Sequence, residues 1–160
     1  MFKNKMSPSL KTAFLQLSLV AIYFPLYYLS IWSGLIFAGF FLLLDLTAWP
    51  NALKLHSKQG AFKYLVITVG TSFIAVILFF ANVYEIIGTI AISGTTNYIT
   101  GLWEHVYFSV VTFTTLGYGE YTPQGYAKIA TSIQAILGLG YFAFIVGVSS
   151  AIFYSKIQKT

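Results

Sequence analysis

The chain of 160 residues contains no cysteine and no arginine, and only 8% of its residues are charged. The absence of cysteine excludes disulfides, thiolate catalysis and cysteine-ligated metal sites. The charged fraction is far below the roughly 25% of an ordinary globular domain. In its place, 58% of the residues are hydrophobic and 19% are aromatic. This composition is typical of a membrane protein.

The few polar side chains form no catalytic or metal-binding pattern. No nucleophile has a base at a suitable spacing, the histidines and acids lack metal-ligand spacing, and no phosphate-binding glycine loop is present. The net charge of +5 comes from lysines scattered between apolar runs. Such a distribution favours orientation in a membrane over binding of nucleic acid. We therefore expect neither an enzyme nor a nucleic-acid partner.

Four apolar stretches are long enough to cross a bilayer, which needs about 20 residues per helix. They are Thr12 to Leu29, Trp32 to Trp49, Ala61 to Ile90 and Ala127 to Tyr154. The short link between the first two predicts a tight helical hairpin, and Pro25 predicts a kink in the first. We therefore divide the chain into a transmembrane hairpin at residues 1–60 and a second module at residues 61–160.

The lysines predict the orientation of these spans. With the amino terminus in the cytoplasm, only Lys128 lies outside, which satisfies the positive-inside rule. This predicts a multi-pass protein of the cell membrane with both termini cytoplasmic. A voltage sensor needs several positive charges within a span, and the second span has none. Voltage sensing by these helices is therefore not expected.

The segment between the third and fourth spans is too apolar for an ordinary outer loop. Leu102 to Thr115 is apolar and aromatic but too short to cross a bilayer, which suits a re-entrant helix. It runs directly into TTLGYGE, residues 114–120. Non-helical backbone at membrane depth is tolerated only where it is buried in protein or lines a water-filled path. The arrangement of two spans, a short helix and a glycine-containing strand provides such a path.

TTLGYGE resembles the selectivity-filter signature of the tetrameric potassium channels, whose usual form is T-V-G-Y-G-D. The resemblance covers about residues 61–155 and implies an all-α membrane fold assembled as a homotetramer in lipid. Its parts would be an outer helix at 61–90, a pore helix at 102–115, a filter at 115–119 and an inner helix at 127–154. The whole chain then resembles a small prokaryotic-type potassium channel with two extra amino-terminal transmembrane helices.

The resemblance also implies the function and the residues that carry it. In the family, K⁺ exchanges its water shell for backbone carbonyl oxygens and a threonine hydroxyl. The carbonyls would come from Thr115, Leu116, Gly117 and Tyr118, and the hydroxyl from Thr115. Carbonyls that face one axis need partly left-handed backbone, which explains Gly117 and Gly119. A weakly selective cation channel and a non-conducting channel-like subunit remain the alternatives.

Other residues are expected to support the filter or to gate it. Support is expected from Thr114, Trp103, Gly119 and Glu120, and the Tyr118 ring is expected to pack on pore-helix aromatics such as Trp103, Tyr107 and Phe108. Glu120 replaces the usual aspartate, and Val111 stands where some members carry a buried acid, so an acid–acid brace is absent. Gly138 is interpreted as a gating hinge, with close helix packing as the alternative, and Gly147 as a packing residue.

Overall fold

The structure, a computed structural model, describes residues 8–30, 32–40, 43 and 61–157. It is mostly helical (75%). The chain divides into two compact units, residues 1–79 and residues 80–160. Helix α3, Ala61–Ile87, contributes its first part to one unit and its last two turns to the other. The predicted boundary at residue 60 lies outside the described residues.

The first unit contains the two amino-terminal helices. Helix α1 covers Pro8–Leu29, with Pro25 inside it, and residues 32–40 form α2. The start of α2 is tied to the last turn of α1 by the Ser33 hydroxyl, which donates to the carbonyls of Leu26 at 2.5 Å and Ser30 at 2.7 Å. The first predicted span thus ends where expected. Most of residues 41–49 of the second lie outside the described residues.

Two helices of the described part are long and apolar enough to cross a membrane, at Val66–Ile87 and Ala127–Ala151. They correspond to the third and fourth predicted spans. The outer helix was predicted to reach residue 90, but α3 ends at Ile87. The reason is Gly88, which adopts φ +65° and donates its N–H to the Tyr84 carbonyl at 2.8 Å. A left-handed glycine in this position ends a helix.

The expectation of an all-α fold needs one correction. Strand β1, Ile90–Ile92, pairs antiparallel with β2, Tyr121–Pro123, so that Ile92 lies opposite Tyr121. The pairing extends at both ends. The Ser93 N–H donates to the Glu120 carbonyl at 2.7 Å, and the Gln124 N–H donates to the Thr89 carbonyl at 2.8 Å. This small sheet connects the end of α3 to the segment that follows the glycine-containing strand.

The remaining helices are α4, Leu102–Phe113, and α5, Ala127–Ile157. Both begin at the predicted residue, whereas α4 ends two residues early and α5 continues three residues further. The two helices pack against each other. Phe113, at the end of α4, lies with its ring centroid 5.5 Å from that of Tyr141 and 6.3 Å from that of Phe142.

The sheet yields a first prediction, because the main-chain bond from Ser93 to Glu120 can be removed at its donor. We expect Ser93→Pro, which lacks the N–H donor, to lower the free energy of unfolding by about 1–2 kcal/mol. Ser93→Ala keeps the donor and serves as the matched control, with unchanged stability. Denaturant unfolding of the purified protein measures both. Equal stability of the two variants would show that the bond to Glu120 contributes nothing.

Candidate functional site

Helix α4 is followed directly by residues 114–120, which are called the glycine-containing strand below. A capping motif forms the turn between the two. Thr115 adopts φ +57° and donates its N–H to the Thr112 carbonyl at 3.0 Å. The Leu116 N–H donates to the Val111 carbonyl at 3.0 Å. These two bonds around a left-handed residue form a Schellman motif, which usually has glycine at the left-handed position. They explain why α4 stops at Phe113 rather than at residue 115.

Left-handed backbone recurs at every second residue of the strand. The φ angles are +57° at Thr115, +49° at Gly117 and +83° at Gly119. A Cβ atom on either glycine would meet nothing within 4 Å, so glycine is needed here for its backbone freedom and not for space. Thr115 has no such freedom, and a β-branched residue at positive φ is a strained outlier. The left-handed backbone predicted at Gly117 and Gly119 is present, and Thr115 extends the alternation by one position.

The two threonines at the start of the strand hydrogen-bond to nearby carbonyl oxygens. The Thr115 hydroxyl donates its hydrogen to the Thr114 carbonyl at 2.7 Å, which leaves the oxygen lone pairs free to face a positive charge. The Thr114 hydroxyl is turned back into the helix and donates to the Val110 carbonyl at 2.8 Å. The carboxyl end of α4, with its partial negative charge, also lies at this end of the strand.

The outer end of the strand is attached to α4 by two tyrosine–carboxylate pairs. The Tyr107 hydroxyl donates to Glu120, and the Tyr121 hydroxyl donates to Glu104. The two tyrosine rings meet edge to face, with centroids 5.7 Å apart. Val111 of α4 is buried. Val111 cannot pair with Glu120 as an acid at that position could. Glu120 instead accepts a hydrogen bond from a tyrosine of α4.

Both tyrosines hold their protons more tightly than a free phenol. The hydrogen bond to Glu120 is the main cause that raises the pKa of Tyr107 to about 12. The hydrogen bond to Glu104 does the same for Tyr121, whose pKa is also raised to about 12. The neutral phenol is the form that can donate to a carboxylate. The two pairs therefore persist across the physiological pH range.

The ring of Tyr118 and that of Trp103, a predicted support on which it was expected to pack, are both largely exposed within one protomer. Tyr118 is 66% exposed and Trp103 is 63% exposed, so any packing of the Tyr118 ring on α4 is partial within one protomer. Phe108 packs edge-on against Tyr84, at 5.0 Å between centroids. Tyr107 was predicted only to pack against the Tyr118 ring. Within the protomer, its hydroxyl donates to Glu120 at the carboxyl-terminal end of the strand.

Gly138, the predicted hinge, lies at a close contact between α5 and α4. A Cβ atom at this position would stand 1.9 Å from the Phe113 carbonyl oxygen. By contrast, a Cβ at Gly140 or at Gly147 would meet nothing within 4 Å. The packing role expected of Gly147 therefore belongs to Gly138 within the protomer. A hinge role for Gly138 stays a prediction.

Sequence reasoning missed one buried polar group beside this contact. Gln134 of α5 is fully buried and hydrogen-bonded to Tyr84 of α3 and Ser109 of α4. A glutamine in the middle of an apolar span was the available signal, because polar residues inside such spans are expensive and need partners.

His105 is buried, and its Nδ1–H donates to the Gly101 carbonyl at 2.8 Å. Within the described residues, no group of three or more histidine, aspartate and glutamate side chains could hold a metal ion.

Comparison with known proteins gives one positive result. A family model described as "Ion channel" matches residues 71–155, just over half of the chain. The matched range covers most of α3, the sheet, α4, the glycine-containing strand and nearly all of α5. No curated protein and no solved structure matches the chain.

Gly138 generates a prediction on stability. We expect Gly138→Ala to destabilise the protein by about 1–3 kcal/mol or more, because the new methyl group overlaps the Phe113 carbonyl. The matched control is Gly140→Ala, where the space is open and alanine favours the helix by up to about 1 kcal/mol. Thermal unfolding of both variants measures the difference. Equal destabilisation by the two changes would contradict the close contact.

The tyrosine–carboxylate pairs generate a prediction on pH. Because the folded-state pKa of Tyr107 exceeds the unfolded value of 10.0, its contribution to stability is complete below pH 10 and is lost as the pH rises towards about 12. A difference titration of tyrosinate absorbance, wild type minus Tyr107→Phe, should show a group with a pKa near 12. In a Glu120→Ala background the same difference should move towards 10, whereas Glu104→Ala should leave it in place. A Tyr107 pKa near 10 in the wild type would contradict the pairing.

Proposed function

Because the chain belongs to the ion channel family, we propose that it conducts K⁺ selectively and passively across a membrane. The ion sites would be the carbonyls of Thr115, Leu116, Gly117 and Tyr118 together with the Thr115 hydroxyl. The observation that carries this proposal is the left-handed backbone at every second residue of TTLGYGE. A strand with this alternation can turn successive carbonyls to one side, where they replace the water shell of a K⁺ ion.

A single strand cannot surround an ion, so the working channel is a homotetramer with the filter on its four-fold axis. The exposure of the protomer supports this assembly. Leu116 is 57% exposed and Tyr118 is 66% exposed, although both belong to an apolar chain. Helix α5 also exposes many large apolar side chains, including Ile129, Ile136, Leu139 and Val146. Surface of this extent is suited to burial against neighbouring copies and lipid.

The proposed location is the cell membrane, with four spans and both termini in the cytoplasm. Two helices of suitable length and the distribution of the lysines support this arrangement. In this orientation Glu104 and Glu120 lie at the outer mouth, where each accepts a hydrogen bond from a tyrosine. Their carboxylates would raise the local concentration of cations before entry.

The test is the current through the purified protein in liposomes under opposed K⁺ and Na⁺ gradients. We expect a reversal potential close to the K⁺ equilibrium value. Equal permeability to the two ions would overturn selectivity and leave a weakly selective cation channel. A complete lack of current from correctly inserted protein would instead favour a non-conducting subunit.

A pair of glycine variants ties the current to the filter. Gly117→Ala forces an L-residue into left-handed backbone at φ +49°, at about 1–2 kcal/mol per protomer and four times per pore. We expect it to abolish the current. Gly94→Ala imposes a comparable strain at φ +74° in the outer loop, also with open space around the Cβ. We expect this control to conduct like the wild type, and loss of current in both variants would separate conduction from the filter.

A further inference from the structure

Three fully buried polar side chains meet where the three helices of the second unit come together. They are Tyr84 of α3, Ser109 of α4 and Gln134 of α5, and each has no exposed surface. The aromatic ring of Phe108 packs edge-on against Tyr84 beside them. A buried amide is unfavourable in such surroundings unless its hydrogen bonds are satisfied. A leucine in place of Gln134 would avoid that requirement altogether.

The amide of Gln134 makes three of the four hydrogen bonds that a glutamine side chain can form. Its carbonyl oxygen accepts from the Tyr84 hydroxyl at 2.5 Å. Its Nε2 donates to the Ser109 hydroxyl at 2.7 Å and to the Ser109 carbonyl at 3.2 Å. Two of the three bonds therefore go to one residue of the pore helix, and one of those goes to its main chain. The main-chain bond, at 3.2 Å, acts on the helix backbone directly, and the shorter bond to the Ser109 hydroxyl, at 2.7 Å, adds a second attachment at the same turn.

A second contact repeats the register one turn further along both helices. Gly138 follows Gln134 by four residues, and Phe113 follows Ser109 by four residues. Residues at this spacing lie on the same face of a helix. The Gln134–Ser109 bonds and the Gly138–Phe113 contact thus define the position of α4 along α5 at two successive turns. Apolar packing alone tolerates small sliding, whereas short hydrogen bonds to a carbonyl do not.

We infer that Gln134 is a positioning residue that holds the pore helix, and through it the inner end of the filter. The connection is short. Ser109 lies two residues before Val111, whose carbonyl accepts the N–H groups of both Leu116 and Gly117, at 3.0 and 3.3 Å. A shift of α4 at Ser109 moves that carbonyl and loosens the strand at the residues that would coordinate K⁺. The effect on ions rests on the proposed function, but the mechanical link does not.

The first test reads the link directly by hydrogen exchange of the full-length protein in lipid nanodiscs. In Gln134→Leu, which has similar volume and no polar atoms, we expect the Leu116 and Gly117 amides to exchange at least about tenfold faster. Tyr84→Phe is the matched control, because it removes a bond to Gln134 and leaves both bonds to Ser109. Its Leu116 and Gly117 amides should exchange like those of the wild type. Amides in the middle of α3 report general destabilisation.

Two results would overturn the inference. One is unchanged exchange at Leu116 and Gly117 in Gln134→Leu. The other is a rise of the same size throughout α3, which would make Gln134 merely a stabilising residue. If Gln134→Leu does not fold, Ser109→Ala tests the inference instead. This variant removes the bond from Gln134 to the Ser109 hydroxyl and keeps the bond to the Ser109 carbonyl. A smaller rise confined to the same amides supports the inference, and no rise refutes it.

The second test reads the consequence for ions. The reversal potential under opposed K⁺ and Na⁺ gradients does not depend on how many channels fold. We expect Gln134→Leu to lose part of its preference for K⁺ and Tyr84→Phe to keep it. Wild-type selectivity in Gln134→Leu would refute the effect on the filter. If the wild type itself does not prefer K⁺, the proposed function fails, while the exchange experiment still decides the positioning role.

Discussion

The Val111 carbonyl is the acceptor on which the turn from α4 into the glycine-containing strand depends. It accepts the N–H of Leu116 in the motif that ends α4 and also the N–H of Gly117 in the strand beyond it. Because one carbonyl accepts both N–H groups, the helix ends at this point and Thr115 adopts left-handed backbone. The strain of that conformation is tolerable only because both bonds form around it. The following alternation at Gly117 and Gly119 continues a pattern that begins at the cap.

The strand is attached to its own protomer at both ends. The cap holds the inner end, and the outer end is held by the main-chain bond from Ser93 and the side-chain bond from Tyr107, both to Glu120. Helix α4, which carries the cap and Tyr107, is itself positioned on α5 through Gln134 and Gly138. Helix α4 and residues 114–120 are thus joined by hydrogen bonds at both ends of the strand, which set the geometry of the proposed filter.

Much of this could be predicted from the sequence, and the rest depends on contacts that a sequence does not display. The starts of α4 and α5 follow from where the apolar runs begin, and the left-handed glycines follow from TTLGYGE. The predicted ends of α3 and α4 were wrong because a single left-handed residue, Gly88 in one case and Thr115 in the other, decides each of them. The strands escaped notice because three residues show no usable periodicity and are stable only through a partner some 30 residues away. Gly138 could be singled out from the sequence, but its close contact with the Phe113 carbonyl could not be predicted.

The attachment of the filter within one chain bears on how a tetramer would assemble. A segment that becomes ordered only on association loses its conformational freedom at that moment, which weakens binding. Here the cap, the sheet and the tyrosine–carboxylate pairs hold residues 114–120 through contacts within a single chain. In a tetramer of the proposed kind, association would bring together parts whose backbone shape is already set within each chain. Oligomerisation would then supply the symmetry of the proposed pore rather than its fold.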